Sequence, residues 1–494
     1  MKFRKEKDVI GWVDVPAEAY AGSFTTRAGK NFRISGIKAP PEFRKALGMI
    51  KKAAALTNQE LGELEPKLAK AIIKAADEFI DGKFDDEFIL DVFQAGAGTP
   101  FNMNVNEILA NRANEILGGK GKKGTYSPVT PNNHVNWGQS SNDVIPTAIR
   151  IAALLSIANL ADETGKLSQS LFQKAREFSD IIKIGRTHLQ DAVPIRLGQE
   201  FEAYGSAISR CTLHIQSSFF ELNELGIGGT ALGTGITAHP KYMKLMVKTL
   251  MKVTGLKHLR PTQSAMELTH GMNAFTIASG SLKVLANDLV RIANDLKLLV
   301  SGPVGGISEI TIPEAEPGSS IMPGKINPSV PECVTMVGFQ VVGNDTTINY
   351  GVQASQLELN VMTPLIMHNL LSSIELLTNG CRMFRSQCID GIKADKKRCR
   401  ELLEKSLCLA TGLSPYLGYK VTAELVNDAL KKRKTLKQEV LDQKFMTEKE
   451  LTAVLSPSRL TSPSLTDKTL AARIKKNKNY QSYLKKISWH ERRI

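Results

Sequence analysis

The 494-residue sequence has few cysteines, few aromatic residues and no long uninterrupted apolar run. Its cysteines are scattered without a Cys-x-x-Cys pair, so neither a disulfide framework nor a zinc site is expected, and free buried thiols are the better interpretation. Because about 18 consecutive apolar residues are nowhere present, we expect no membrane span. The first residues lack the apolar core of a signal peptide, and the sequence therefore predicts a cytoplasmic protein. The cysteines are Cys211, Cys333, Cys381, Cys388, Cys399 and Cys408.

Charge is unevenly distributed along the chain. The formal net charge is +15, and residues 464–494 hold nine Lys or Arg against two Asp or Glu. A basic terminal segment can bind nucleic acid or anionic surfaces, but no recognised nucleic-acid motif accompanies this one. We interpret it as a solvated tail and do not expect it to bind nucleic acid.

Helical periodicity dominates the remainder. Apolar residues recur at spacings of three and four from Phe43 to Glu60 and from Pro66 to Ile80, which is typical of helices that bury one face. Longer patterns cover residues 145–179, 197–225, 265–299 and 331–384, the last interrupted at Gly343, Gly351 and Pro364. A helix of thirty residues is roughly 45 Å long, more than a compact monomeric core needs. These lengths predict a bundle that packs against copies of itself.

The predicted fold class is therefore mainly all-α, in a subunit of about three domains by the usual length of roughly 150 residues each. A mostly helical N-terminal domain with short extended pieces covers residues 1–142, a central long-helix bundle residues 143–392, and a small helical domain residues 393–457. Thr447 and Glu450 have the spacing of a capping box. The polar, basic composition of residues 458–494 makes order there doubtful.

The segment Gly318–Pro328 differs from its helical surroundings. Glycines and prolines interrupt any regular element, which predicts a loop able to close over a ligand. Two hydroxyls, one ammonium and one amide lie within it, and these groups suit binding a carboxylate and stabilising negative charge. A simple connector between helices is the alternative. The four side chains are Ser319, Ser320, Lys325 and Asn327.

Three further polar clusters lie at Gly96–Asn104, His134–Asp143 and Gly185–Pro194. We expect each at the entry to a long helix, where unpaired backbone N–H groups and the helix dipole favour anions. Together the clusters could hold a dicarboxylate. Taken singly, helix capping is the better explanation of Ser140, Ser141 and Asn142.

Cofactor motifs are weak. Gly226–Ala231 fits a loose dinucleotide fingerprint but follows a helical pattern rather than a strand. Gly119–Thr125 lacks the Gly-Lys-Ser/Thr ending of a phosphate loop. We interpret both as surface loops and expect neither a cofactor nor a metal ion.

The four polar clusters match the sequence motifs of the fumarase/aspartase superfamily and occur in the same order. The chain resembles this superfamily from about Gly11 to Leu455. The matching strings are Gly-x-Gly-Thr-x-x-Asn-Met-Asn, His-Val-Asn-x-x-Gln-Ser-Ser-Asn-Asp, Gly-Arg-Thr-His-x-Gln-Asp-Ala-x-Pro and Gly-Ser-Ser-x-Met-Pro-x-Lys-x-Asn. The resemblance implies a homotetramer of three-domain helical subunits, with a central helical superbundle and each active site built from three chains.

The resemblance also implies a role for each matching residue. Ser319 would be the base that removes a proton next to one carboxylate of the substrate, and Asn142 would lie near the leaving group. Glu332 would hold His188 in position without itself contacting the substrate. The first carboxylate would be bound by Ser320, Thr99, Ser140 and Ser141, and the second by Thr187, His188, Lys325 and Asn327.

The implied reaction is elimination of ammonia from L-aspartate, with elimination of water from L-malate as the alternative. Ala97, Thr130 and Leu189 favour an aspartase at positions where aspartases differ from fumarases. The sequences of Gly343–Thr347 and Gln356–Met362 also match those of aspartases. The Ser-Ser-Asn form of residues 140–142 and Pro313–Pro317 are fumarase-like. Trp137, Pro100 and Thr237 match neither branch and are expected near the site, which leaves an altered substrate or weak activity open. A non-catalytic binding or structural role is a further alternative, because the superfamily includes members with little activity.

Overall fold

The computed structural model describes residues 2–490 and is mainly α-helical, as predicted. The chain forms two compact units. The first comprises the residues up to Gly165, Ile208–Arg291 and Cys333–Arg382. The second comprises Lys166–Ala207, Ile292–Glu332 and the chain from Met383 onward. Each unit combines segments that are distant in the sequence. The division into four consecutive segments stays a prediction.

The N-terminal part begins with an antiparallel hairpin and continues with helices. Its strands are β1 (Phe3–Lys7) and β2 (Trp12–Pro16), and its helices are α1 (Ser23–Asn31), α2 (Pro41–Glu60), α3 (Pro66–Ile80) and α4 (Thr99–Gly118). The predicted ranges of α2 and α3 are confirmed to within two residues. Proline at the first position of both helices explains their sharp starts, because its fixed φ suits the first turn and its missing N–H costs nothing there.

The long helices lie close to where periodicity predicts them. They and the shorter helices between them are α5 (Ser141–Glu177), α6 (Leu197–Ser218), α7 (Tyr242–Thr254), α8 (Ala265–His270), α9 (Asn273–Leu299), α10 (Ser329–Gln353) and α11 (Thr363–Gln387). The expected interruptions at Gly343 and Gly351 are wrong, since α10 runs through both glycines. A helical glycine costs only about 1 kcal/mol, which packing can offset. Pro364 lies in the first turn of α11, where proline is tolerated.

Helix α5 is, among the described residues, the one helix long and apolar enough by composition to cross a membrane. Most of its apolar window, 61%, is buried inside the protein. Burial of this kind is what a core helix requires, so the helix gives only weak evidence for a membrane span.

A β-hairpin lies between α5 and α6, where a helix entry was expected. Strand β3 (Ile182–Thr187) pairs antiparallel with β4 (Gln190–Arg196). The expectation that residues 185–194 open a helix is therefore wrong; α6 begins only at Leu197. Ile182, Ile184 and the β-branched residues of β4 have the alternation of a strand. Two short pairs complete the strands: β5 (Glu224–Leu225) parallel to β6 (Arg260–Pro261), and β7 (Ile310–Thr311) antiparallel to β8 (Lys393–Ala394).

The C-terminal part is a cluster of short helices around one apolar core. The helices are α12 (Lys396–Lys405), α13 (Ala410–Leu417), α14 (Tyr419–Lys432), α15 (Leu436–Asp442), α16 (Glu448–Val454), α17 (Pro457–Leu460), α18 (Lys468–Lys476) and α19 (Lys478–His490). The capping box of Thr447 and Glu450 is confirmed at the start of α16. The doubt about order beyond residue 457 is corrected: α18 and α19 are helices, and Ile474, Tyr480 and Tyr483 are buried in the core cluster.

The cysteines need one correction. Five are buried free thiols, whereas Cys333 is exposed near the start of α10. Cys333 lies on a face of α10 that this chain leaves uncovered.

Candidate active site

The first polar cluster forms the start of α4. Gly96, Ala97 and Gly98 have φ values of 76°, 51° and 78°, so three consecutive residues are left-handed. Ala97 has a Cβ atom and therefore pays a steric cost in this region. A Cβ added to Gly98 would lie 3.0 Å from Ile145 of α5, so the glycine permits close approach of the two helices. Thr99 Oγ1 donates a hydrogen bond of 2.6 Å to the Gly96 carbonyl.

The second cluster forms the start of α5 and is tied to the first. Ser141 Oγ accepts a hydrogen bond of 3.1 Å from Asn102 of α4. Ser140 Oγ accepts from the Asn142 N–H at 3.2 Å, and Asn142 Nδ2 donates to the Ala231 carbonyl at 2.9 Å. Helix capping thus accounts for the hydrogen bond that Ser140 Oγ accepts from the Asn142 N–H. Within the first unit, Thr99 and the segment Ser140–Asn142 lie at the starts of two adjoining helices.

Asp143 fixes this arrangement from inside the protein. Its Oδ1 accepts from the Ser140 N–H, and its Oδ2 accepts from the N–H groups of Gly228 and Thr230, all at 2.9 Å. Burial raises the pKa of Asp143 to about 6, in spite of these donors. The glycine-rich segment 226–231 is consequently held within the fold: Ile227–Thr230 are buried, which corrects its interpretation as a surface loop.

A buried lysine next to this cluster was missed by sequence reasoning. Lys51 of α2 is fully buried, and its Nζ donates to Asn136 Oδ1 at 3.0 Å and to Gln139 Oε1 at 2.9 Å. Asn136 Oδ1 also accepts from Asn102 Nδ2 at 3.1 Å. Burial lowers the pKa of Lys51 to about 7. The amide network therefore links a titratable amine to Ser141.

The sequence feature that could have revealed this buried network is the set of asparagines on α4. Five of them are buried, which is unusual for a polar residue unless each side chain has a partner. They are Asn102, Asn104, Asn106, Asn111 and Asn114.

The third cluster is the tip of the β3–β4 hairpin. Thr187 pairs with Gln190 across the strands, which leaves His188 and Leu189 as the two turn residues. Their φ values are 53° and 60°, as in a type I′ turn, which normally favours Asn-Gly. Neither residue is glycine. Backbone strain of this kind concentrates at functional sites, and it presents Thr187 and His188 to solvent at the tip.

Charged residues brace the hairpin below its tip. Arg186 makes two hydrogen bonds of 3.0 Å to the carboxylate of Glu309, which is fully buried. Lys183 pairs with the same carboxylate at 3.1 Å and with Glu200 at 2.9 Å. A bidentate arginine pair is geometrically specific, so it fixes the strand that carries Thr187.

The fourth cluster, Gly318–Pro328, closes on itself. Asn327 Nδ2 donates to the Gly318 carbonyl at 2.6 Å, and the Gly318 N–H donates to the Lys325 carbonyl at 3.0 Å. A Cβ atom at Gly318 would collide with that carbonyl oxygen, so glycine is required. Ser319 Oγ accepts from the N–H groups of Ile321 and Met322 at 3.3 and 3.0 Å. Ser320 and Lys325 are exposed.

The predicted site residues thus fall into two sets. Thr99, Ser140, Ser141 and Asn142 belong to the first unit, and the remaining seven belong to the second. Glu332 is exposed in the first turn of α10. Among residues 2–490, no hydrogen bond or ion pair joins His188 to Ser319, Lys325 or Glu332, so the supporting role of Glu332 stays a prediction. The seven are Thr187, His188, Ser319, Ser320, Lys325, Asn327 and Glu332.

Comparison with known proteins identifies the class. Residues 11–343 match a family model described as Lyase, and residues 409–462 match the Fumarase C C-terminus model. An aspartate ammonia-lyase of Bacillus subtilis is 45% identical over 95% of this chain and 98% of its own length. A class II fumarate hydratase of Nitrosomonas europaea is 46% identical over 93% of this chain and 99% of its own length.

Solved structures agree with this result. A fumarate lyase:delta crystallin from Brucella melitensis, bound to cobalt, superposes with a TM-score of 0.90 at 43% identity, covering 94% of this chain and all of that one. A class II fumarase from Schistosoma mansoni gives a TM-score of 0.90 at 37% identity, with the same coverage. The protein is a helical lyase. More particularly, the chain belongs to the fumarase/aspartase superfamily.

Proposed function

We propose that the protein is an aspartate ammonia-lyase, which converts L-aspartate reversibly to fumarate and ammonia. The observation that carries the elimination chemistry is the environment of Ser319 Oγ, which accepts hydrogen bonds from two backbone N–H groups. Donors to an oxygen favour its deprotonated form. A serine hydroxyl is otherwise a poor base at neutral pH, so this arrangement supports its role as the base.

In the proposed reaction Ser319 takes the proton from the carbon next to one carboxylate of aspartate. The electrons of the broken C–H bond form an enediolate-like dianion on that carboxylate, which hydroxyl and amide donors stabilise. The C=C bond then forms as the C–N bond breaks and its electron pair leaves with nitrogen. Ser320, Thr99, Ser140 and Ser141 bind the first carboxylate, and Asn142 lies near the leaving amine.

The second carboxylate is assigned to Thr187, His188, Lys325 and Asn327. The exposure of Thr187, His188 and Lys325 in this chain supports their availability to a ligand. No step of the proposed reaction needs a cofactor or a metal ion.

The choice of aspartate over malate depends on the surroundings of Ala97 and Thr130. Ala97 is buried and places a methyl group where fumarases have a serine hydroxyl. Thr130 takes the place of the first histidine of the fumarase accessory motif, and its Oγ1 lies 3.0 Å from His134 Nδ1. The second candidate is class II fumarate hydratase, favoured by Ser141 where aspartases generally have threonine. A non-catalytic role is the third.

We also propose that the active protein is a homotetramer in the cytoplasm, with active sites shared between subunits. Helix α10 leaves Met336, Phe339 and Tyr350 exposed by 60%, 64% and 70%. Large apolar side chains on one helix favour burial against another copy.

A direct assay separates the three candidates. Fumarate formation, followed by its ultraviolet absorbance, is expected with L-aspartate and not with L-malate. Product from malate alone would replace the proposal with fumarate hydratase, and no product from either substrate would favour a binding role.

Ser319→Ala is the matched control for the assay. We expect turnover to fall by about a hundredfold to ten-thousandfold, because general base catalysis typically contributes 10²–10⁴-fold, while the affinity for a dicarboxylate inhibitor changes little. Near-normal turnover in this variant would contradict the assignment of the base.

A further inference from the structure

The C-terminal helices carry most of the net charge of the protein. Residues 393–487 hold 22 Lys or Arg against 10 Asp or Glu, while the whole chain has a net charge of +15. Helices α18 and α19 contribute much of this excess, and both lie beyond residue 462, where the match to the Fumarase C C-terminus model ends. These two helices therefore lie outside the parts of the chain that the family models match, whereas the basic residues of 409–462 lie within them.

The added helices are anchored rather than loosely attached. Ile474, Tyr480 and Tyr483 are buried in the core cluster, Tyr480 Oη donates to the Leu417 carbonyl at 2.7 Å, and Tyr483 Oη donates to Asp428 at 2.7 Å. Charges held on a packed surface keep a fixed arrangement, which a disordered tail does not.

Three lysines are gathered where α18 meets α19. Asn477 lies between the helices; its Nδ2 donates to the Lys444 carbonyl at 3.1 Å and its Oδ1 accepts from the Asn479 N–H at 2.8 Å. Lys476 and Lys478 flank Asn477, so this side chain holds them next to Lys444. We call Lys444, Lys476 and Lys478 the basic junction; all three are exposed.

Two carboxylates of the C-terminal helices form ion pairs with residues outside the basic junction. Glu450 pairs with Arg473 at 2.6 Å and caps α16, and Glu439, fully buried, pairs with Lys432 at 2.6 Å. Within the described part of the chain, no member of the basic junction forms an ion pair. The positive charge of the junction is therefore not neutralised by the fold.

Contrary to the expectation from the sequence, we propose that the basic junction binds the phosphate backbone of double-stranded nucleic acid, without sequence preference. A duplex carries a dense regular array of negative charge, and lysines that neutralise it release condensed counterions. Single strands are bound through exposed aromatic side chains, whereas Tyr480 and Tyr483 are buried.

An anionic membrane is the less suitable partner. Helices that lie on a membrane bury an exposed apolar face in it. Between Lys468 and Ile487, α18 and α19 expose no large apolar side chain, because their apolar faces are used in the core cluster.

The test measures binding of the full-length protein to a fluorescein-labelled 30-bp duplex of mixed sequence, by anisotropy, from 50 to 200 mM KCl. The triple variant Lys444→Gln, Lys476→Gln, Lys478→Gln is expected to weaken binding at least about tenfold at 50 mM KCl and to reduce the slope of log K against log[salt] by about three. Lyase activity and melting temperature should stay unchanged.

A second triple variant controls for net charge alone. Lys67→Gln, Lys70→Gln, Lys74→Gln removes the same charge from exposed positions on α3 and should leave duplex binding near the wild-type value. An equal loss in both triples, no duplex binding by the wild type at 50 mM KCl, or binding to phosphatidylserine vesicles but not to the duplex would each overturn the proposal.

Discussion

At the scale of single residues, the polar motifs predicted which side chains to examine but not the group that lies beneath them. Ser140, Ser141 and Asn142 stand out in the sequence because small polar residues cluster there. Lys51 does not stand out, because a lysine in an amphipathic helix is normally solvated. Its burial results from α2 packing near Asn136 and Gln139, which are 85 and 88 residues away in sequence. Periodicity alone does not reveal such long-range contacts.

The buried amine predicts a specific pH dependence of stability. The pKa of Lys51 is about 7 in the fold against 10.5 ordinarily. Between these values the unfolded chain binds more protons, so the free energy of unfolding should rise with pH. From pH 7 to 9 Lys51 should contribute about 2 kcal/mol to this rise. Burial raises the pKa of five cysteines, so ionisation of these thiols in the unfolded chain opposes the rise as the pH approaches 9. Nearby Asp143, with a pKa of about 6, titrates below this window and does not obscure it.

Urea denaturation at pH 7, 8 and 9 measures this dependence. Lys51→Met has no titrating amine, so its stability relative to the wild type should fall by about 2 kcal/mol from pH 7 to pH 9. Lys52→Met changes the neighbouring, partly exposed lysine and should keep the rise. If Lys51→Met does not fold, Lys51→Gln serves the same purpose, and a variant whose stability changes with pH in parallel with the wild type would contradict the assignment.

At the scale of elements, long helices were predictable and short irregular elements were not. Helices α2, α3 and α5 repeat their apolar positions over many turns, and each repeat adds to the signal. The β3–β4 hairpin has strands of six and seven residues, and its turn residues are His188 and Leu189 rather than Asn-Gly. A turn that violates the usual chemistry leaves no local signal. The hairpin is stabilised instead by Glu309, which lies more than a hundred residues away in sequence.

The left-handed backbone conformation of Leu189 predicts that replacing this residue with glycine raises the free energy of unfolding. Leu189 is 67% exposed and has a φ of 60°, so Leu189→Gly relieves a steric cost of about 1–2 kcal/mol while adding about 0.5–1 kcal/mol of backbone entropy cost. We expect a small gain in unfolding free energy, of about 0.5 kcal/mol. Chemical denaturation measures it.

Leu213→Gly is the matched control for this substitution. Leu213 is 61% exposed in the interior of α6, where glycine should cost about 1 kcal/mol. The two variants should therefore change stability in opposite directions. Destabilisation of similar size in both would mean that the hairpin tip carries no strain.

At the scale of the whole molecule, the sequence predicted an assembly because its helices are longer than one subunit core requires. The structure adds which faces one chain leaves uncovered. On α10, Met336, Phe339 and Tyr350 recur at helical spacings and are exposed by 60% or more, and on α9 Ile277 and Val284 are exposed by 51% and 44%. Apolar side chains on neighbouring turns of long helices form stripes suited to helix–helix packing.

Phe339→Glu tests this assembly. A buried charge at a helix–helix contact is strongly unfavourable unless it is paired, so the variant should elute as a smaller species than the wild type, for which we expect four times the subunit mass by light scattering. Because the proposed active sites are shared between subunits, fumarate formation should fall together with the mass. Leu430→Glu introduces the same charge on α14 at a residue that is 60% exposed and should change neither property. A Phe339→Glu protein that retains full mass and activity would show that the exposed face of α10 is not a subunit contact, and a monomeric wild type with full activity would show that one chain supplies a complete site.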